Sequence, residues 1–266
     1  MPIAVCATPI GNLDDVTLRV LAELRAADLV LAEDTRHTRG LLARHGIETR
    51  LLSYHEHNEA TRVAELLPRL EAGERIALVS DAGLPGVSDP GARLVRAALD
   101  AGVPVTVLPG PSAVQTALVA SGLAADRYAF VGFLPRKAGE LDALWRALAS
   151  WDGAVVAFES PQRLPRSLRS LATVEPEREV AVCRELTKRF EEVVRGTADE
   201  LAGRFATPPK GEITLVLGSR PALRDLAPAH AAVAELVAAG TPRGAAADVV
   251  ARLTGASRND LYRTSL

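Results

Sequence analysis

Apolar residues along the chain alternate between short unbroken runs and longer stretches in which they return every three or four positions. The runs Ile3–Ala7, Asp28–Ala32, Arg50–Tyr54, Arg75–Ser80 and Pro104–Leu108 predict strands, and their continuity predicts burial on both faces of a sheet. Helical spacing from about Val16 to Ala27, over Thr38–His45 and over Glu59–Glu71 fills the intervals. Ser88 or Asp89 is placed to cap a further helix running through Asp100. Strands separated by helices in this order predict a mostly parallel, doubly wound sheet.

The pattern changes past Ala120-Ser121-Gly122-Leu123. Strand candidates are now Tyr128–Phe133, Ala154–Phe158, Glu179–Leu186, Glu191–Arg195 and Ile213–Leu217, with helices near Glu140–Ser150, Arg163–Leu171 and Ala198–Phe205. Phe190–Arg195 follows the preceding strand after only a short turn, which predicts an antiparallel pair and therefore a mixed second sheet. From Arg220 a proline-marked linker leads into helical patterns at Pro228–Ala239 and Arg243–Leu253, and Asn259–Leu266 closes the chain. The expected organisation is an α/β domain over 1–119, a second α/β domain over 120–220 and a short helical C-terminal extension over 221–266.

Composition narrows the function classes. A formal net charge of −2 excludes a globally basic nucleic-acid binder but leaves room for a local basic face, of which Arg36, His37, Arg39, Arg44, His45 and Arg50 form the nearest approach. Arginine outnumbers lysine 28 to 3, so Lys188 stands out simply as a lysine, alongside Lys137 and Lys210. Cys6 and Cys183 lie in apolar runs with no CxxC, as small buried hydrophobes of a reducing compartment. The first residues lack a basic start, and no apolar run approaches the length of a membrane span. The expectation is a soluble cytoplasmic chain with no membrane association.

None of the 20 glycines sits two residues from another, so there is no GxG and the dinucleotide-binding fingerprint is disfavoured. No GxxxxGK[ST] occurs either. Glycine and proline gather instead at three strand ends: Thr8–Asn12, Ser80–Gly91 and Pro109–Ala113. In an open α/β sheet ligands settle outside the carboxyl ends of the strands, where side-chain-poor loops expose backbone at close range. His55, Glu56, His57 and Glu59 superficially suggest metal ligands, yet two histidines sharing a strand face lack a third ligand, so no metal is expected.

These loops carry a family resemblance. Thr8–Asn12, Glu33-Asp34-Thr35-Arg36-His37-Thr38, Ser80–Gly91 and Pro109–Ala113 resemble the signatures of the ribosomal RNA small subunit methyltransferase I family, the RNA-modifying branch of the tetrapyrrole methylase superfamily. Gly132–Pro135, Phe158–Pro161, Arg184–Lys188, Gly211–Ile213 and Asn259–Tyr262 extend it, in order, over nearly the whole chain. Leu84 stands where the family usually has Thr, and Phe158 where it usually has Tyr. The resemblance implies a two-domain tetrapyrrole-methylase-like fold and a homodimer. It also implies methyl transfer from S-adenosyl-L-methionine to the ribose 2′-hydroxyl of a cytidine in the decoding region of small-subunit (16S) ribosomal RNA, free or in the 30S subunit. A tetrapyrrole-type small-molecule methyltransferase and a noncatalytic ribosome-binding protein are the competing readings.

Carried over by the resemblance, the cofactor residues are Pro9 and Gly11; Ser80, Asp81, Gly83, Leu84, Pro85 and Val87; Pro109, Gly110, Ser112 and Ala113; and, from the second domain, Phe158, Leu186 and Thr214. Glu33, Asp34 and Arg36 form the catalytic set, with Glu33 or Asp34, or else bulk water, as proton acceptor; the alternative is an internal Asp34–Arg36 ion pair on an exposed loop. Arg36, His37, Arg39 and Lys188 are the expected RNA contacts, and Glu159, Arg184, Glu185 and Lys188 either frame the RNA entrance or pair with each other. Arg243, Arg252, Arg258 and Arg263 offer phosphate contacts in the tail.

Overall fold

In the computed structural model, which describes residues 2–86, 89–219, 226–254 and 256–263, the five apolar runs of the first half become β1 (Ile3–Cys6), β2 (Leu29–Ala32), β3 (Leu51–Ser53), β4 (Ile76–Val79) and β5 (Val105–Leu108). They form one sheet in the order β3-β2-β4-β1-β5, and every pairing in it is parallel. The reason the runs are unbroken is visible in the packing. Ala4, Cys6, Val30, Ala32, Ala77 and Val79 face α1 (Leu18–Ala26) and α2 (Thr35–Arg44). Ile3, Val5, Leu29, Leu31, Ile76 and Leu78 face α3 (Glu59–Glu71) and α4 (Ala92–Asp100). Both sides of β1, β2 and β4 are covered, so none of these alternates with polar residues, whereas β3 is only half-buried and the edge strand β5 leaves Val107 exposed.

Two helix starts differ from the sequence expectation. α2 begins three residues before Thr38, because Asp34 caps it by accepting from the Arg36 N–H at 2.8 Å. The cap position of α4 is Gly91, at φ 136, and not Asp89; Ser88 lies outside the described residues. A Cβ on Gly91 would stand 2.8 Å from Leu78 Cδ2, so the chain passes tight over β4 before the helix begins.

The second sheet contains β6 (Tyr128–Phe133), β7 (Ala154–Glu159), β8 (Glu179–Arg184), β9 (Glu192–Thr197) and β10 (Ile213–Leu217), in the order β6-β7-β10-β8-β9. β6 and β7 are parallel and the other pairs antiparallel, so the sheet is mixed. One face packs on α6 (Ala138–Leu148), α7 (Leu164–Val174) and α8 (Ala198–Arg204). The other is covered by α5 (Ala113–Ser121), whose Val114, Ala117 and Leu118 meet Ala154, Val156, Ala181, Cys183 and Val216. α5 therefore follows β5 in sequence but packs on the second sheet, and Met1–Ser219 forms one compact unit. Cys6 and Cys183 are buried and unpaired, and burial pushes both thiols up to about 12.

Arg220–Leu266 is a separate unit, with α9 (Ala227–Ala238), α10 (Arg243–Thr254) and α11 (Arg258–Arg263) around Val233, Ala246, Ala247, Val250 and Leu261. Two of its arginines are already engaged: Arg258 with Asp248, and Arg243 with its guanidinium 5.1 Å over the Tyr262 ring. Among the described residues no helix is long and apolar enough to cross a membrane.

Candidate functional site

The three glycine- and proline-rich loops meet at the carboxyl ends of β1, β4 and β5. Thr8 and Gly83 exchange backbone hydrogen bonds, Thr8 N–H to Gly83 O at 2.8 Å and Gly83 N–H to Thr8 O at 3.1 Å, while Thr8 Oγ1 donates to Ser80 O at 3.0 Å. Gly83 has φ 77, and a Cβ there would lie 3.7 Å from Pro111 O, so the second loop also touches the third. Gly110 crosses Ala7 so closely that a Cβ would stand 2.9 Å from the Ala7 Cβ. Ser112 is partly spoken for, since its Oγ accepts from the Gln115 N–H at 3.4 Å and caps α5. Pro85 is buried, and the Leu84 side chain packs against the core on the α3–α4 side of the sheet. Val87 lies outside the described residues.

A second tie joins the ends of β2 and β4. The Asp34 N–H donates to Asp81 Oδ1 at 3.0 Å, and the Asp81 backbone in turn donates to the Glu33 carboxylate. Burial raises the Glu33 pKa, the negative charge of Asp81 adds to it, and the Asp81 backbone bond opposes both. Asp89 goes the same way: burial, then the charge of Glu33, push it up to about 6, against the pull of a hydrogen bond from Ser80. Asp34 behaves oppositely. Arg36 Nε and Nη2 grip its carboxylate at 3.1 and 2.7 Å, and that bidentate bond holds it well below the usual carboxylate range. His37 and Arg39 lie exposed on α2 beside Arg36.

The histidines expected on a strand instead sit in the turn before α3. His55 Nε2 lies 3.2 Å from Asn58 Nδ2, and His57 meets His55 edge to face. Among the described residues no group of three or more potential ligands is arranged to hold a metal. Glu59, from the same stretch, anchors the second loop: its Oε1 accepts from Tyr54 Oη at 3.0 Å and from the Gly91 N–H at 2.9 Å.

The second sheet supplies the opposite wall. Phe158 stacks edge-on with Phe130 and Phe133, with centroids 4.9 and 5.4 Å away, and is paired in register with buried Thr214. Leu186 is buried with Ile10 in the cluster that α5 seals. Here the chain takes two left-handed residues that are not glycine, Glu185 at φ 52 and Thr187 at φ 65. Thr187 Oγ1 accepts from the Asn12 N–H at 3.1 Å, and Gly11 runs so near that a Cβ would stand 2.5 Å from Lys188 Cγ. Lys188 bridges Glu185 and Glu212, each at 3.1 Å; burial lowers its pKa, but those bonds outweigh burial and hold it above its ordinary value. Arg184 is engaged by Glu192.

Glu159 does not frame an RNA entrance. It is 2% exposed and bound to the Ser160 N–H, Ser167 Oγ and Arg163, because β7 delivers it beneath α7. Asp89 and Thr187 were missed in sequence. Asp89 reads as a helix cap beside Pro90, and Thr187 is the one residue of the Arg184–Lys188 motif to which no role was given.

The backbone-rich loops thus meet beside an apolar cluster in which Ile10 and Ala113 of those loops join Phe158 and Leu186 of the second sheet, and the carboxylates Glu33, Asp81 and Asp89 gather at the β2–β4 end. That donor set fits a ligand combining apolar ring surface, positive charge and backbone-reading polar groups.

Comparison with known proteins adds the following. Residues 2–202 match the family described as Tetrapyrrole (Corrin/Porphyrin) Methylases. A Mesorhizobium japonicum protein named Ribosomal RNA small subunit methyltransferase I is 46% identical over 98% of this chain and 90% of its own. A Synechocystis protein of the same name is 43% identical over 98% of this chain and 95% of its own. Among solved structures, a Thermus thermophilus uroporphyrin-III C-methyl transferase complexed with S-adenyl homocysteine superposes with a TM-score of 0.58, at 20% identity, over 81% of this chain and 96% of that one.

Proposed function

This chain belongs to the tetrapyrrole methylase superfamily and, within it, to the ribosomal RNA small subunit methyltransferase I family, and from that premise we propose that it methylates the ribose 2′-hydroxyl of a cytidine in the decoding region of small-subunit ribosomal RNA. It is a methyltransferase of a family that uses S-adenosyl-L-methionine. The observation that carries the reading is the convergence of the Thr8–Asn12, Ser80–Gly91 and Pro109–Ala113 loops against the Leu186–Lys188 turn.

The bound cofactor supplies a methyl group already activated by a sulfonium centre. Pro9, Gly11, Gly83 and Gly110 bring backbone close to it, and Ala113, Phe158 and Leu186 give its ring surface an apolar wall. Asp81 has one oxygen committed to Asp34 and keeps the other for the ligand. The remaining work is to align the ribose oxygen and to take its proton. Of the two carboxylates at the end of β2, Asp34 is disabled as a base by Arg36, whereas Glu33, whose burial raises its proton affinity, is suited to accept the proton. Arg36, His37 and Arg39 on the exposed side of α2 would hold phosphates nearby. The same reading makes the protein a cytoplasmic homodimer acting on free RNA or on the 30S subunit.

The test is methyl-labelled S-adenosylmethionine offered with protein-free small-subunit RNA, with assembled 30S subunits and with a precursor tetrapyrrole. Label at a cytidine 2′-oxygen is the expected result. Label entering only the tetrapyrrole overturns the RNA reading, and a protein that binds RNA but no cofactor is the noncatalytic alternative.

A further inference from the structure

We propose that Arg189 and Phe190, at the tip of the β8–β9 hairpin, form a stacking platform for an unpaired RNA base, and that the groove beside them takes the adjoining phosphates. The inference rests on the RNA reading above and adds where, and by what chemistry, the strand is gripped. Phe190 is 65% exposed, and the Arg189 guanidinium lies 5.5 Å from its ring centroid. An aromatic ring carrying a stacked arginine offers what an unstacked base seeks, a π face with a positive edge beside it.

The platform is held rigid. The Lys188 N–H donates to Glu185 O at 3.0 Å and the Glu191 N–H to Lys188 O at 3.1 Å, and the Thr187 N–H reaches the Glu191 carboxylate. The left-handed Glu185 and Thr187 give the hairpin a backbone shape that these bonds keep in place. A groove of about 710 Å³ runs from Arg189 past Lys188 and Arg44 to Gly11. It therefore connects the hairpin tip to the loop assigned to the cofactor. Three cations and a single carboxylate, Asp14, line it. Arg44 is paired with Asp14, and Lys188 with Glu185 and Glu212, so Arg189 carries most of the uncompensated charge. Such a surface suits one or two phosphates and one base, in keeping with a chain of net charge −2 that has no broad basic face.

The test uses the full chain with protein-free small-subunit RNA and, separately, assembled 30S subunits. It measures RNA affinity, KM and kcat for methylation, S-adenosylmethionine affinity by calorimetry and molecular mass by light scattering. Phe190→Ala is expected to weaken RNA binding by about tenfold to a hundredfold, with cofactor affinity and mass unchanged. Phe190→Trp should restore binding, and Phe190→Leu, which keeps apolar bulk without a π face, should not. Unchanged RNA affinity in Phe190→Ala, or full rescue by leucine, overturns the proposal. A loss of RNA affinity accompanied by a halved mass also overturns it, making the tip a contact between copies of the chain. A wild-type protein that neither binds nor methylates RNA instead defeats the underlying functional reading, a result separable from all of these.

Discussion

The Asn12 N–H donates to Thr187 Oγ1 across 3.1 Å, and this one bond latches the loop after β1 to the turn between β8 and β9. Thr187 reaches it from a left-handed backbone at φ 65, a conformation that costs a β-branched residue roughly 1–3 kcal/mol. The cost persists because Glu185 binds the Glu212 N–H at 2.9 Å and Lys188 at 3.1 Å, fixing the turn independently of Thr187.

Removing the acceptor while keeping the shape should therefore loosen the first loop. Thr187→Val is expected to weaken S-adenosylmethionine binding by about threefold to tenfold, the worth of one hydrogen bond, and Thr187→Ser to restore it. Calorimetry reads both. Equal affinity in all three proteins would separate the latch from the cofactor site.

Gly110→Ala places a methyl group 2.9 Å from the Ala7 Cβ, and the third loop must then shift. Overpacking of this kind costs about 1–3 kcal/mol, and cofactor affinity should fall with stability. Gly139 offers the control: nothing stands within 4 Å of its missing Cβ inside α6, so Gly139→Ala should stabilise by about 0.5–1 kcal/mol and leave binding alone. Chemical denaturation of the two variants side by side checks the contrast.

Asp81 and Arg36 should separate cofactor from RNA. Asp81→Ala strips the acceptor from the Asp34 N–H and is expected to weaken cofactor binding; Arg36→Ala, on an exposed side chain, is expected to raise KM for RNA with cofactor affinity little changed. Parallel losses in both assays for Arg36→Ala would contradict that division.

Asp89 should leave a signature in the pH dependence of stability. Its folded pKa of about 6 lies above its ordinary value of 3.8, so between those values the folded protein holds more protons than the unfolded chain. Stability from this group is therefore complete below pH 4 and is lost as pH rises through 6. Asp89→Asn should match the wild type near pH 4 and exceed it at pH 7.5 by on the order of 2 kcal/mol. Urea unfolding at the two pH values measures the difference, and a gap of opposite sign would mean the carboxylate is stabilised by charge rather than penalised by burial.

Glu159→Ala, by contrast, should act on the fold. It would remove the carboxylate from Arg163, which keeps the Ser160 hydroxyl and the Leu134 carbonyl, and leave Ser167 and the Ser160 N–H without their acceptor, at a cost of about 1–3 kcal/mol for each buried group so left. The variant's melting temperature should fall steeply, with RNA affinity unaltered in whatever fraction remains folded.

Much of this architecture is written in local pattern. The unbroken run Leu29–Ala32 announces a strand buried on both faces, because any face left to water would carry polar residues. Gly11, Gly83 and Gly110 likewise mark the bare loops at the strand ends, since a Cβ on Gly11 or Gly110 would collide with Lys188 or Ala7 and Gly83 takes a φ of 77. The motif order along the chain identifies the family, and with it the cofactor. Other features have no local trace. Asp34 meets Asp81 across 47 positions and Asn12 meets Thr187 across 175, and no periodicity or capping rule reaches that far. Glu159 and Glu33 are both carboxylates at strand ends. One is sealed beneath a helix and the other stands half-buried in the crevice, so only the packing of α7 distinguishes a structural acid from a candidate base. α5 reads as a helix in sequence, but its burial against the second sheet depends on β5 lying at the edge of the first. The sequence determined which segments are strands, helices and bare loops, because those follow from a residue's own geometry and its need for or avoidance of water. The tertiary structure decided which charges are neutralised, which carboxylates bind a proton more tightly than usual and which loops meet, because those depend on distances between residues remote in the chain.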